Sequence, residues 1–128
     1  MGFLNKAWAF IRKLPVAKYI KPLWKSGLSF LVQNEGDRAQ VKLGDEFEAK
    51  GPDAAARVID SWGNALVAGV IWLPLPHGIE TWFIGLIRAK QTTLRFALAE
   101  AVRSGGRPVI DKAFDAAQKG ILEKIAAR

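Results

Sequence analysis

The sequence lacks cysteine, has one histidine, and has no uninterrupted apolar run long enough to span a membrane. Without cysteine there are no disulfides, thiolate zinc sites or cysteine nucleophiles. The one histidine, His77, lies between a proline and a glycine, and no neighbouring acid is spaced to orient it as a general base. The sequence also lacks phosphate-binding glycine loops, dinucleotide fingerprints and metal-ligand clusters. We therefore expect a protein that is not an enzyme and that carries no cofactor or metal.

Charge and apolar patterning divide the chain of 128 residues, which is long enough for one domain, into four segments. Residues 1–34 hold six of the nineteen basic residues and no acid, and we interpret them as a basic amphipathic segment. Residues 35–52 are acidic and predict a turn or small hairpin. Residues 53–104 predict a helical hairpin with an apolar tip, and residues 107–128 predict a C-terminal amphipathic helix.

The basic segment predicts two short helices with a kink at Pro15, because proline disfavours helix in the residue before it. Apolar side chains fall on one side of these helices and basic side chains on the other, which is typical of helices lying flat on an anionic membrane. The alternative is that the apolar side packs on the rest of the protein. The residues predicted to contact the membrane here are Phe3, Leu4, Trp8, Phe10, Ile11, Leu14 and Trp24 on the apolar side and Lys6, Arg12, Lys13, Lys18, Lys21 and Lys25 on the basic side.

These first 30 residues resemble cationic amphipathic membrane peptides, including leaderless bacteriocins, because tryptophan and phenylalanine or leucine are segregated from lysine. The resemblance covers about a quarter of the chain and rests on composition. It implies an affinity for membranes.

The acidic segment contains a turn signal and, after it, a pattern typical of strands. Residues 34–37 form a cluster of turn-favouring residues, and residues 40–50 alternate between apolar and polar side chains. This alternation allows a small β-hairpin with residues 44–46 as its loop. The acids of that loop lack the spaced oxygen ligands of a calcium site, so we expect a solvated turn.

The apolar stretch of residues 65–87 has the length of a spanning helix, about 20 residues. Two prolines, a glycine, His77 and Glu80 lie in its middle, where unsatisfied backbone groups and a charge are costly in lipid. A hairpin with residues 74–78 as its tip fits better. Each arm would be about 14 Å long, enough to enter one leaflet but not to cross.

Five tryptophans are present, and tryptophan favours the membrane interface. Trp72 and Trp82 in the hairpin are therefore also predicted to bind the membrane. The alternatives are that these rings fill a soluble core or stack on single-stranded nucleic acid. In the opening helix the aromatic and basic residues lie on opposite faces, which argues against nucleic acid.

The C-terminal helix has a narrow apolar stripe that something must cover. We expect the same chain to cover it, with a second copy or another protein as the alternative. In the second case the partner-docking residues are Ile110, Phe114, Ile121 and Ile125.

Together these patterns predict a mainly α protein of about four to five short amphipathic and apolar helices. The expected function is that of a peripheral or monotopic membrane protein: a structural, anchoring or membrane-perturbing component of a larger assembly such as a virion. The expected partners are an anionic lipid bilayer and other protein subunits or copies of itself. The alternatives are a soluble basic protein that binds or packages nucleic acid, with steep salt dependence, and a soluble scaffold.

Overall fold

A computed structural model describes residues 20–128, with side chains from residue 23 onward. This part of the chain forms four helices and no strand, which confirms the predicted mainly helical fold. The helices are α1 (Ile20–Lys50), α2 (Pro52–Val70), α3 (Ile79–Arg103) and α4 (Arg107–Ala127). The predicted kink at Pro15 lies outside the described residues.

The four helices form a ring in which each packs on two neighbours and α4 returns to α1. Asp60 of α2 pairs with Arg95 of α3, and Arg88 donates to Asn64 one turn further along α2, so these helices are antiparallel. Contacts between α1 and α4 run in the same opposed order. The described chain is therefore an up-down-up-down four-helix bundle.

Short glycine connections join the helices at one end of the bundle. Gly51 alone links α1 to α2, with φ 94°, a conformation that favours glycine. Pro52 then occupies the first turn of α2, where its missing N–H costs nothing. Residues 104–106 link α3 to α4, and the longer residues 71–78 link α2 to α3 at the opposite end.

The predicted turn at residues 34–37 and the predicted β-hairpin at residues 40–50 are wrong, because α1 runs unbroken through both. Gly36 and Gly44, whose presence suggested turns, are buried helical residues. A Cβ atom on Gly36 would overlap the side chain of Gln118, and one on Gly44 would overlap that of Arg107. These glycines therefore mark places where α4 side chains lie across α1.

The core is formed by one apolar stripe from each helix. Across the diagonal of the ring, Trp62 of α2 and Phe114 of α4 meet edge to face, with ring centroids 5.2 Å apart. The apolar stripe of α4 is therefore covered by the other helices of the same chain. The four residues of the alternative docking role are all in the core: Ile110, Phe114, Ile121 and Ile125.

One polar side chain lies inside the contact between α2 and α3. Gln91 is 7% exposed and donates from Nε2 to the carbonyl oxygen of Ile59 at 3.1 Å. Its Oε1 accepts a hydrogen bond from Arg88 at 2.8 Å. The amide lies over Gly63, where an added Cβ would overlap it. Gly63 therefore gives the buried amide the space in which both hydrogen bonds form.

We expect Gly63→Ala to lower the free energy of unfolding by about 1–3 kcal/mol, because it displaces Gln91 and leaves buried polar groups unpaired. The matched control is Gly85→Ala in α3, where an added Cβ meets nothing within 4 Å. That change should raise stability by about 0.5–1 kcal/mol through helix propensity. Urea denaturation followed by circular dichroism measures both. Equal stabilisation by the two substitutions would contradict the role given to Gly63.

Candidate functional site

The connection between α2 and α3 is formed by residues 71–78, which include residues 71–73 of the predicted first arm as well as the predicted tip, and from here on we call it the tip. It lies at the end of the bundle where α1 begins. Leu31 of α1 packs against Gly69 just before the tip, where a Cβ would come within 2.7 Å of a Leu31 methyl. At the same end, the guanidinium of Arg128, the last residue, lies 4.8 Å from the ring centroid of Trp82. The start of α1, the tip and the end of α4 therefore share one end of the bundle.

Backbone hydrogen bonds hold both ends of the tip. The amides of Trp72 and Leu73 donate to carbonyls in the last turn of α2, each at 3.1 Å, and the amide of Ile79 donates to the carbonyl of Pro76 at 3.1 Å. Gly78 has φ 85° and ψ −17°, in the left-handed region that favours glycine. Its conformation turns the chain into α3.

The side chains of the tip divide between core and solvent. Leu73 of the tip is buried, as is Ile79, the first residue of α3, and both belong to the same core cluster as Trp24. Ile71 and Trp72 are instead 67% and 53% exposed. An exposed apolar residue is ordinary when it is alone, but here two large ones are adjacent. The tip therefore presents a small apolar surface on an anchored backbone.

The predicted membrane-binding residues that the structure describes differ in their exposure to solvent. Trp24 is 5% exposed and packs in the core, with the Lys25 ammonium 5.8 Å from its ring centroid. Trp82 is half-buried beneath Arg128, whereas Trp72 is exposed. The other predicted membrane-binding residues lie outside the described side chains: Phe3, Leu4, Lys6, Trp8, Phe10, Ile11, Arg12, Lys13, Leu14, Lys18 and Lys21.

The tip offers little reaction chemistry. His77 and Glu80 are both exposed, and Glu80 stands in the first turn of α3, where an acid interacts favourably with the helix dipole. Within residues 20–128 there is no group of three histidine, aspartate or glutamate side chains placed to hold a metal ion. None of the four described helices combines the length and apolar character needed to cross a membrane.

At the opposite end, Arg107 holds α4 against α1. It donates to Glu48 at 2.6 Å and to Asp45 at 3.0 Å, and its Nε lies 3.6 Å from a carboxylate oxygen of Asp111. The hydrogen bonds from Glu48 and then Asp45 raise the pKa of Arg107 above its ordinary value. The guanidinium also lies over Gly44. This basic residue is therefore used within the protein rather than offered to a ligand.

The sequence patterns did not indicate a groove that lies between α1 and α2. Arg38 and Lys42 line it from α1, and Arg57 and Ser61 line it from α2. Each pair is spaced four residues apart, which places its members on one face of a helix. Sequence analysis did not place Arg38 and Lys42 on one face of a helix, because the turn predicted at residues 34–37 ended the helix before them.

Comparison with protein-family models, curated proteins and solved structures gives no match for this chain. The function must therefore be inferred from the geometry and chemistry of the described residues.

The different positions of Trp24 and Trp72 predict different effects on stability. We expect Trp24→Ala to lower the free energy of unfolding by about 3–5 kcal/mol, because it removes a large side chain from the core. Trp72→Ala should change stability by no more than about 0.5 kcal/mol, because its ring is largely in solvent. Urea denaturation measures both. A large loss on removing Trp72 would show that the tip ring is a core residue.

Proposed function

We propose that this protein is a non-enzymatic, membrane-associated helical bundle that attaches to an anionic bilayer through its tip and its basic N-terminal segment. The observation that carries this proposal is the exposure of Ile71 and Trp72 at the end of the bundle where α1 begins. Tryptophan favours the membrane interface because its ring is apolar while its N–H remains near water.

In this proposal the tip contacts lipid and the arms on either side do not. Leu66, Phe83 and Ile87, which belong to the apolar arms of the predicted hairpin, are completely buried in the bundle. Inserting the arms into a leaflet would require them to leave the core. Contact by Ile71 and Trp72 requires no such rearrangement, because both are already exposed.

The strength of the proposed attachment depends on two contacts, the apolar contact of the tip and the electrostatic contact of the basic N-terminal segment. Full burial of one large apolar side chain stabilises by about 1.5–3 kcal/mol, so the partly exposed Ile71 and Trp72 alone give weak binding. Each lysine or arginine near an anionic surface adds about 1 kcal/mol. The six basic residues of residues 1–34 therefore supply the second contact that stable, reversible attachment needs.

The proposed role is to anchor a larger assembly, such as a virion, at a membrane. Phe96 and Val102 of α3 are 72% and 55% exposed and lie toward the end of the bundle away from the tip. The proposal assigns these two separate exposed apolar side chains to contact with other protein subunits or with further copies of this chain while the tip faces lipid.

Binding of nucleic acid through phosphate contacts is the alternative function. It has less support from α3 and α4, because Arg95, Arg103 and Arg107 are ion-paired with acidic side chains. Arginines already paired within the protein contribute less to neutralising a phosphate backbone.

Flotation with vesicles tests the proposed attachment. We expect the full chain to float with vesicles containing phosphatidylglycerol at low salt. The double variant Ile71→Ser with Trp72→Ser should bind these vesicles at least about tenfold more weakly, because it lacks the apolar contact. Phe96→Ser is the control, since it removes an exposed apolar side chain far from the tip. Recovery of the wild-type protein entirely in the unbound fraction would refute the proposal.

A second arm of the same experiment replaces Lys6, Arg12, Lys13, Lys18, Lys21 and Lys25 by Gln. This variant should be largely released from anionic vesicles, and the wild type should be released as salt rises, because screening weakens surface attraction. Undiminished flotation of this variant would show that the basic segment makes no contact with the membrane.

A further inference from the structure

The groove between α1 and α2 consists of two adjoining hollows that share Lys42, Val58 and Ser61 in their linings. The first hollow, of about 190 Å³, extends toward Arg38 and the second, of about 210 Å³, extends toward Arg57. Lys42 and Ser61 therefore stand at the centre of the groove with an arginine on each side.

Three basic side chains of this groove form no ion pair within the described part of the protein, whereas a fourth, Lys50, is paired. Among the described side chains, no carboxylate lies within 4.0 Å of Arg38, Lys42 or Arg57. The groove also contains two acids. Glu46 is paired with Lys50 at 3.5 Å, and Glu35 lies at the far end of the first hollow. The centre of the groove is therefore positively charged and open to an anion.

The types of donor in the groove suit one kind of anion. A guanidinium group presents several N–H donors in a planar fork that matches phosphate oxygens, and an ammonium group binds phosphate as a compact charge. Arg57 and Ser61 are one helical turn apart on α2, and Lys42 faces them from α1. Guanidinium, ammonium and hydroxyl donors thus line one hollow.

The first hollow has a more apolar lining than the second. Ala39, Val58, Trp62 and Ala65 contribute to it. Apolar side chains on one side of a binding groove favour an occupant that carries an apolar portion.

We propose that this groove binds a phosphate group carried on a small apolar moiety. Lys42, Arg57 and Ser61 hold the phosphate, and the apolar portion lies against Val58 and Trp62. The phosphate group belongs to a soluble phosphate ester or to a lipid headgroup. The groove is separate from the tip, because Ser61 lies nine residues before Val70, the last residue of α2, which is about 14 Å along the helix.

Isothermal titration calorimetry of the full chain with phenyl phosphate tests this proposal. We expect phenyl phosphate to bind saturably at one site and the uncharged benzyl alcohol not to bind. The affinity for phenyl phosphate should fall by at least about tenfold in Lys42→Gln and in Arg57→Gln, because each variant lacks one charged donor. Lys112→Gln removes an exposed lysine from α4 and should leave the affinity unchanged. Circular dichroism confirms that each variant is folded.

Competition identifies the source of the phosphate. Displacement of phenyl phosphate by a short-chain phosphatidic acid supports a lipid headgroup, and resistance to displacement supports a soluble ester. The Ile71→Ser, Trp72→Ser variant should retain phenyl phosphate binding, so failure of membrane attachment and failure of the groove are distinguishable. The proposal is overturned if the wild type shows no saturable binding or if Lys42→Gln and Arg57→Gln bind as the wild type does.

Discussion

Burial of one apolar stripe from each of four helices in a shared core is the constraint on which the rest of this structure depends. Because Trp24, Phe114 and Ile121 pack in this core, their side chains are not accessible to another molecule. This burial also leaves the eight residues of the tip to join α2 to α3 with fewer buried positions. Two of the largest tip side chains, Ile71 and Trp72, consequently remain in solvent, and the proposed attachment to a membrane follows from their position.

Close helix packing at glycine links the fold to the groove. Arg107 lies over Gly44, and its ion pairs with Glu48 and Asp45 join α4 to the last turns of α1. Because α1 continues through that contact as an unbroken helix, Lys42 is carried on a rigid element opposite α2. The same packing that replaces the predicted β-hairpin thus places an unpaired lysine across from Arg57.

The helical class and the stripe of α4 could be predicted from periodicity, because each depends on apolar residues repeating within one helix. The path of α1 could not. Gly36 and Gly44 occupy buried positions of its stripe, so the apolar signal is lost where packing is closest, and glycine resembles a turn in sequence. The exposure of Trp72 and the burial of Trp24 could not be distinguished either, because both rings have the same chemistry and only tertiary packing separates them. The groove depends on residues from two helices and has no signature in either one alone.

The central claim is that the tip, rather than the rest of the bundle, enters the lipid interface. The chain has no cysteine, so a single cysteine introduced as Trp72→Cys, or as Phe96→Cys for comparison, accepts an environment-sensitive fluorophore at one known site. With anionic vesicles, the account predicts a blue shift and increased emission from the probe at position 72 and no change at position 96. An unchanged probe at position 72, or equal shifts at both positions, would contradict it.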